Sequence, residues 1–170
     1  EGSAIDKEAF KRATSIYLVD RTIPMLPENL CNNLCSLRPD EDKLAYSVIF
    51  EMTDAAVVKK YRIARTVIRS NRRYTYEEAQ AIIERFQQGG NEPLPGDEYT
   101  SQILELDRLA KILREKRFVD GALGFDRVEV RFDIDEKGHP MSVYFKESKD
   151  ANQLIEEFML LANRSVAEYI

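Results

Sequence analysis

Between Lys59 and Arg73 the sequence carries Lys59, Lys60, Arg62, Arg65, Arg69, Arg72 and Arg73 and no acid. Tyr61 interrupts this run and Tyr74 borders it. Cations interleaved with aromatics suit a phosphate backbone and its bases. The same residues on a solvated strand, their stems covering the sheet, need no ligand at all. Cys31 and Cys35 lie one helical turn apart. A zinc site asks for about four ligands, and His139, the sole histidine, is distant in sequence. The pair therefore reads as reduced thiols in a core, with no metal expected. Asp40-x-Asp42 and Asp133-x-Asp135 have the spacing of carboxylates that share a strand face and could hold a divalent cation. Asp133 and Asp135, however, alternate on a polar face with Glu129 and Arg131, and Asp40 and Asp42 flank Glu41 in a loop. Both pairs read as solvated. No Gly-rich phosphate loop, Ser/His/Asp arrangement or Gly-x-Ser-x-Gly is present.

The elements that must position these residues follow from periodicity. Asp6 to Ala13 reads as a helix capped by Asp6, with Ala9, Phe10 and Ala13 inward. Ser15 to Val19 is β-favouring, and Arg21 to Pro27, with prolines at 24 and 27, must run extended. Glu28 to Leu37 reads as a short helix. Lys43 to Thr53 alternates, with Leu44, Tyr46, Val48, Phe50 and Met52 on one face, and leads through Asp54-Ala55-Ala56 into a strand from Val57 to Arg69. Thr75-Tyr-Glu-Glu78 is a capping box that starts a helix with Ala79, Ile82, Ile83 and Phe86 inward, ended by Gly89-Gly90. Asn91 to Gly96 reads as a surface loop. A helix from Thr100 to Lys116 turns Ile103, Leu106, Ala110 and Leu113 inward. Val128 to Ile134 and Met141 to Phe145 alternate as a hairpin with one wet face, turning at 135–140, and a long helix begins near Asp150. Strand pairs alternate with helices, so the expected class is α+β: mostly antiparallel sheet built from hairpins, packed against several α-helices.

Composition bounds the rest. At 170 residues the chain fits one domain and buries enough surface to fold without disulfide or metal. With 25 Lys and Arg against 30 Asp and Glu, the net charge of -5 excludes a polybasic binder but not a local basic groove. No apolar run spans a bilayer, and the first residues lack the basic and apolar regions of a signal peptide. The cytoplasm is the expected compartment, with no membrane partner. The start lacks Met and the last residues still read as helix, so the chain is expected to be a piece cut at both ends.

Ser-Ile-Tyr-Leu-Val-Asp-Arg (15–21), Ile-Pro-Met-Leu-Pro-Glu (23–28) and Leu-Cys-Ser-Leu-Arg-Pro (34–39) resemble, in order and spacing, the central part of the ribonuclease II / ribonuclease R catalytic domain, the RNB domain. Val67-Ile-Arg-Ser70, Tyr74 to Glu78, Gly121 to Asp126 and Leu154 to Asn163 extend the resemblance over the whole chain. Ser-Leu-Arg-Pro and the Gly-Ala-Leu run are closer to ribonuclease R. The resemblance implies an internal segment, 1–170, of a catalytic domain in a processive 3′-to-5′ exoribonuclease that hydrolyses single-stranded RNA to nucleoside monophosphates. The family works with magnesium ions held by an aspartate cluster of D-x-D-D type, which stabilise charge on the in-line transition state. No D-x-D-D occurs here, nor the later Ser-Pro-Ile-Arg type motif. The resemblance therefore implies no catalytic or metal residue within this chain, and magnesium bound by ligands elsewhere in the parent enzyme.

Three RNA-binding residues are implied. Tyr17 matches an aromatic that stacks on the 3′-terminal nucleotides, Phe125 a second clamp aromatic, and Glu156 a carboxylate that hydrogen-bonds a ribose 2′-hydroxyl. Stacking holds bases without sequence preference, and a 2′-hydroxyl contact separates RNA from DNA. Tyr17 and Phe125 also read as core residues, and Glu156 as a solvated helix position. The alternative function is a non-catalytic RNA-binding or interaction domain.

Overall fold

Ser3 starts the first helix. In the computed structural model, which describes residues 1–90, 98–124, 129–135 and 139–170, α1 is Ala4–Arg12. The Ser3 hydroxyl accepts from the Asp6 amide, while Asp6 turns back to accept from the Gly2 amide. The expected cap, Asp6, thus lies inside the first turn, where its charge suits the positive helix end. Phe10, expected inward, is exposed.

The described chain forms two compact units. The first comprises Glu1–Leu44, Val67–Arg72 and Val128–Glu147; the second comprises Ala45–Thr66, Arg73–Arg127 and Ser148–Ile170.

In the first unit, β1 (Ile16–Tyr17) pairs antiparallel with β2 (Thr22–Ile23). The segment expected as an α-helix over 28–37 contains instead a π-helical turn, Leu30–Leu34. The Cys31 thiol donates to the Leu26 carbonyl at 3.3 Å, and Cys35 is exposed, so only one thiol is even partly sheltered. β5 (Glu129–Ile134) and β6 (Pro140–Lys146) pair antiparallel, Val130 opposite Phe145 and Phe132 opposite Val143. The expected pairing is present, but the single wet face is not: Val130, Phe132, Met141, Val143, Tyr144 and Phe145 are all exposed. Alternation sets which residues share a face and cannot supply a layer to cover one.

β3 (Asp42–Met52) and β4 (Val58–Arg69) form a long two-stranded ribbon. Its turn closes through Thr53, whose amide donates to Val57 O and whose hydroxyl accepts from the Val57 amide. Ala56 takes a left-handed φ of 54° there. Leu44 and Tyr46 do not share the sheltered face of Val48, Phe50 and Met52: they are 86% and 73% exposed. The half-buried positions change phase at Ser47–Val48 in β3 and at Ile63–Ala64 in β4. Shelter thus passes from one face to the other along the length.

The second unit is organised around helices α2 (Tyr76–Gln87), α3 (Thr100–Val119) and α4 (Asp150–Tyr169). The Thr75–Glu78 capping box forms as expected, with both reciprocal bonds. Ile82, Ile83, Ile103 and Ala151 make the core, flanked by Tyr74, Ala79 and Leu104. Phe86 and Leu106, expected inward, are exposed. The α3 position facing inward after Ile103 is instead Asp107, whose carboxylate takes the Lys111 ammonium at 2.6 Å. Gln80 is buried as well. Its side-chain oxygen accepts from the Ala151 amide at 2.9 Å, satisfying an orphan donor at the start of α4. The class is α+β, with small antiparallel strand pairs and a core gathered among the helices. The loop expected at 91–96 lies outside the described residues.

Candidate nucleic-acid interface

Tyr17 ends β1, opposite Thr22, and the Leu18 amide donates to Arg21 O at 2.8 Å to close the turn. The ring is 80% exposed, and Ile16, Leu18 and Val19 around it are exposed too. Among the described residues of its unit, nothing covers the ring as a core would. The backbone beneath it is held: Ser15 Oγ accepts from the Met25 amide at 3.1 Å, and Arg12 Nη1 donates to Pro24 O at 3.1 Å. Pro24 and Pro27 fix their own φ and so restrict this segment, which bends at Met25 and Leu26. A rigid mount with a free aromatic face can stack a base.

Glu156 belongs to the other unit, on α4. Its side chain is 44% exposed and its Oε1 lies 3.5 Å from Arg117 Nη2. The next residue, Glu157, is 3% exposed. Arg117 of α3 grips Glu157 with two donors, Nε to Oε2 at 3.1 Å and Nη2 to Oε1 at 2.5 Å. Arg114 adds Nη1 to Oε1 at 3.4 Å. Both guanidinium groups also lie against the Phe118 ring, 5.0 and 5.2 Å from its centroid. The hydrogen bond that Arg117 donates to Glu157 holds its guanidinium above its already high ordinary pKa, against a smaller opposing effect of burial. The two neighbouring glutamates therefore differ in capacity. Glu157 spends its lone pairs on arginines, whereas Glu156 keeps most of its own for a donor arriving from solvent.

The sequence reading named Glu156 and missed Glu157, Arg114 and Arg117. The signal was present in Arg114 and Arg117, one turn apart on a helix, together with a Glu-Glu pair on another. Spacing alone did not show that α3 and α4 face each other there. Phe125 lies outside the described residues. Just before it, Gly124 passes close to Phe118: a β-carbon at Gly124 would stand 3.2 Å from the ring.

The basic run lies mainly on β4, where Lys59, Lys60, Arg62, Arg65 and Arg69 are exposed. Arg69 is tied to Asp42 at 3.5 Å. Arg65 donates through Nε to the Tyr46 hydroxyl at 2.9 Å and sits 5.6 Å over that ring. Asp133 accepts from the Ser142 hydroxyl across the β5–β6 pair, and Asp135 accepts from the His139 amide at 2.8 Å, so this carboxylate pair serves the hairpin. Among the described residues no three His, Cys, Asp or Glu side chains converge on one point. They offer no ligand set for the magnesium that the resemblance implies. No described helix is long and apolar enough to cross a membrane.

One unit thus carries an exposed aromatic on a braced mount, and the other a half-exposed carboxylate beside a buried Arg–Glu pair. The family model described as the RNB domain matches residues 1–170, and the chain belongs to that family. DIS3-like exonuclease 2 of Schizosaccharomyces pombe is 43% identical over 99% of this chain and 19% of its own length. Ribonuclease R 2 of Lactococcus lactis is 39% identical over 98% of this chain and 25% of its own. The chain thus spans a quarter or less of these relatives. Mycoplasma genitalium RNase R, solved in complex with ribose-methylated single-stranded RNA, superposes with a TM-score of 0.85 at 27% identity, over 99% of this chain and 26% of that one.

Proposed function

We propose that this chain is an internal segment of the catalytic domain of a processive 3′-to-5′ exoribonuclease, and that it supplies residues which hold the RNA end. The observation that carries this reading is the family match over the full 1–170, with relatives that are exonucleases by name. Single-stranded RNA is the substrate and nucleoside monophosphates are the products. Tyr17 stacks on a base near the 3′ end, Phe125 provides a second stacking face, and Glu156 accepts from a ribose 2′-hydroxyl. The exposure of Tyr17 and the spare acceptor capacity of Glu156 support these roles. Magnesium belongs to this reading as a property of the longer protein. Its ligands lie outside this chain, and no chemical step is assigned to residues within it. The cytoplasm is the proposed compartment.

The test compares the longer protein carrying this domain with the 170-residue chain. Each receives magnesium and single-stranded RNA labelled at its 3′ nucleotide. The longer protein is expected to release the label first, as a mononucleotide, and the chain alone to release none. Internal cuts before end release would overturn the exonuclease reading. RNA binding by the longer protein without any cleavage would favour the non-catalytic alternative.

A further inference from the structure

Among the described residues, the unit made of Glu1–Leu44, Val67–Arg72 and Val128–Glu147 has no buried side chain. Ile82, Ile83, Ile103, Ala151 and the other buried residues all lie in the second unit. A folded unit needs an apolar core to offset the entropy lost in ordering its chain. The β5–β6 hairpin shows where such a core is incomplete. Val130 stands opposite Phe145 and Phe132 opposite Val143, which puts four apolar side chains on one face. They are between 39% and 68% exposed. The other face carries Arg131 opposite Tyr144, and Asp133 opposite Ser142, whose hydroxyl donates to that carboxylate. The alternation thus prepares one face for burial. A two-stranded hairpin left uncovered is marginal in water.

Chain length points to what covers it. These 170 residues amount to 19% and 25% of the length of the two relatives, and to 26% of the solved RNase R. A protein of that length has most of its sequence available to supply a layer. A second copy of the chain is a poorer occupant. Four half-exposed side chains of this size offer on the order of 400 Å², against about 800 Å² per partner in a standard stable interface. A layer from the same polypeptide bears no cost of lost translation and rotation.

We propose that the face of Val130, Phe132, Val143 and Phe145 is where the longer protein packs an apolar layer from its own sequence outside residues 1–170, completing the core of this unit. The inference rests on the reading of the chain as an internal segment, and names the surface through which that segment joins the rest.

The test is the rate at which iodoacetamide labels Val143→Cys and, separately, Phe145→Cys in the longer protein, read by mass spectrometry of the labelled peptide. Each rate is compared with that of the same cysteine after unfolding in urea. Labelling of the native protein is expected to be at least about tenfold slower, because it then requires local opening. The 170-residue chain alone is expected to label at close to the unfolded rate. Rapid labelling of both cysteines in a longer protein that still releases 3′ nucleotides overturns the surface and leaves the proposed function standing. Protection lost on dilution assigns the face to a second copy, and protection already present in the 170-residue chain assigns it to the chain's own second unit; either overturns the inference. Slow labelling in a longer protein that releases no nucleotide supports the surface and removes the exonuclease reading. Should a cysteine variant fail to fold, hydrogen exchange over 139–146 in the unmodified longer protein gives the same contrast, slow exchange supporting the covered face and fast exchange overturning it.

Discussion

Arg117 donates two hydrogen bonds to Glu157, at 3.1 and 2.5 Å, and so joins α3 to α4 through a carboxylate that is almost wholly buried. The same guanidinium reaches Glu156 at 3.5 Å. One arginine thus fixes a structural glutamate and steadies the neighbouring candidate for ribose recognition. A buried carboxylate costs much to desolvate, and only close donors offset that cost. Arg114 and Arg117 supply them, their guanidinium carbons 5.0 and 5.2 Å from the Phe118 ring centroid.

Removing one partner should therefore hurt more than removing both. Arg117→Met, which leaves Glu157 buried with only the longer Arg114 contact, is expected to cost about 3 kcal/mol, the low end for a broken buried pair because the arginine is partly solvated. Adding Glu157→Met should recover part of that loss. Urea unfolding midpoints at constant m-value provide the measurement. A double variant that loses the full sum of the single effects would show that the two residues act independently.

Tyr17→Ala should fold normally, because the ring is exposed and the backbone beneath is held by Ser15, Arg12 and the prolines. In the longer protein it is expected to weaken binding of the RNA end by about 1–3 kcal/mol, the worth of one stacked base, and to change the length of the final product. Tyr17→Phe keeps the ring face and should retain most function. Gel analysis of limit products gives the readout, and an unchanged product length with Tyr17→Ala would remove the clamp role.

Glu156→Ala should lower affinity for RNA while leaving a DNA strand of the same sequence unaffected. A hydrogen bond to a charged acceptor is worth about 1.5 kcal/mol at a partly solvated site, close to tenfold in affinity. Parallel titrations with RNA, DNA and 2′-O-methyl RNA read it directly. Equal loss on RNA and DNA would assign Glu156 to the Arg117–Glu157 packing rather than to the ribose.

The tie between α2 and α4 has a pH dependence of known sign. Glu84 accepts from the Lys149 ammonium at 2.9 Å and from Gln80 at 3.1 Å, and these bonds, the lysine's first, hold its carboxyl below the ordinary value of 4.5. A depressed folded-state pKa stabilises the fold above the unfolded value, and that contribution disappears as pH falls through the folded one. The chain should therefore lose stability below about pH 4.5, and Glu84→Gln should flatten that part of the profile. Urea midpoints taken from neutral pH down into the acid range test this. A slope unchanged in Glu84→Gln would shift the acid sensitivity to other carboxylates.

Local chemistry was legible in the sequence wherever one short segment decides the outcome. The Thr75–Glu78 box needs only residues three apart, and it forms with both bonds in place. The β5–β6 pairing follows from strict alternation. The family was legible too, because the 15–39 motifs keep their order and spacing along the chain. Tertiary structure decided which face of each element is covered. Leu44 and Tyr46 share a parity with Phe50, yet they lie in solvent, because the sheltered face changes at Ser47–Val48. Phe86 and Leu106 keep helical spacing, yet buried places go to Gln80 and Asp107, whose polar atoms are satisfied by Ala151, Glu84 and Lys111. Periodicity records which residues share a face. Whether a face meets a neighbour, and whether a buried glutamate meets two arginines forty residues away, depends on how helices distant in sequence pack, because desolvation is offset only by groups that packing brings within hydrogen-bond reach.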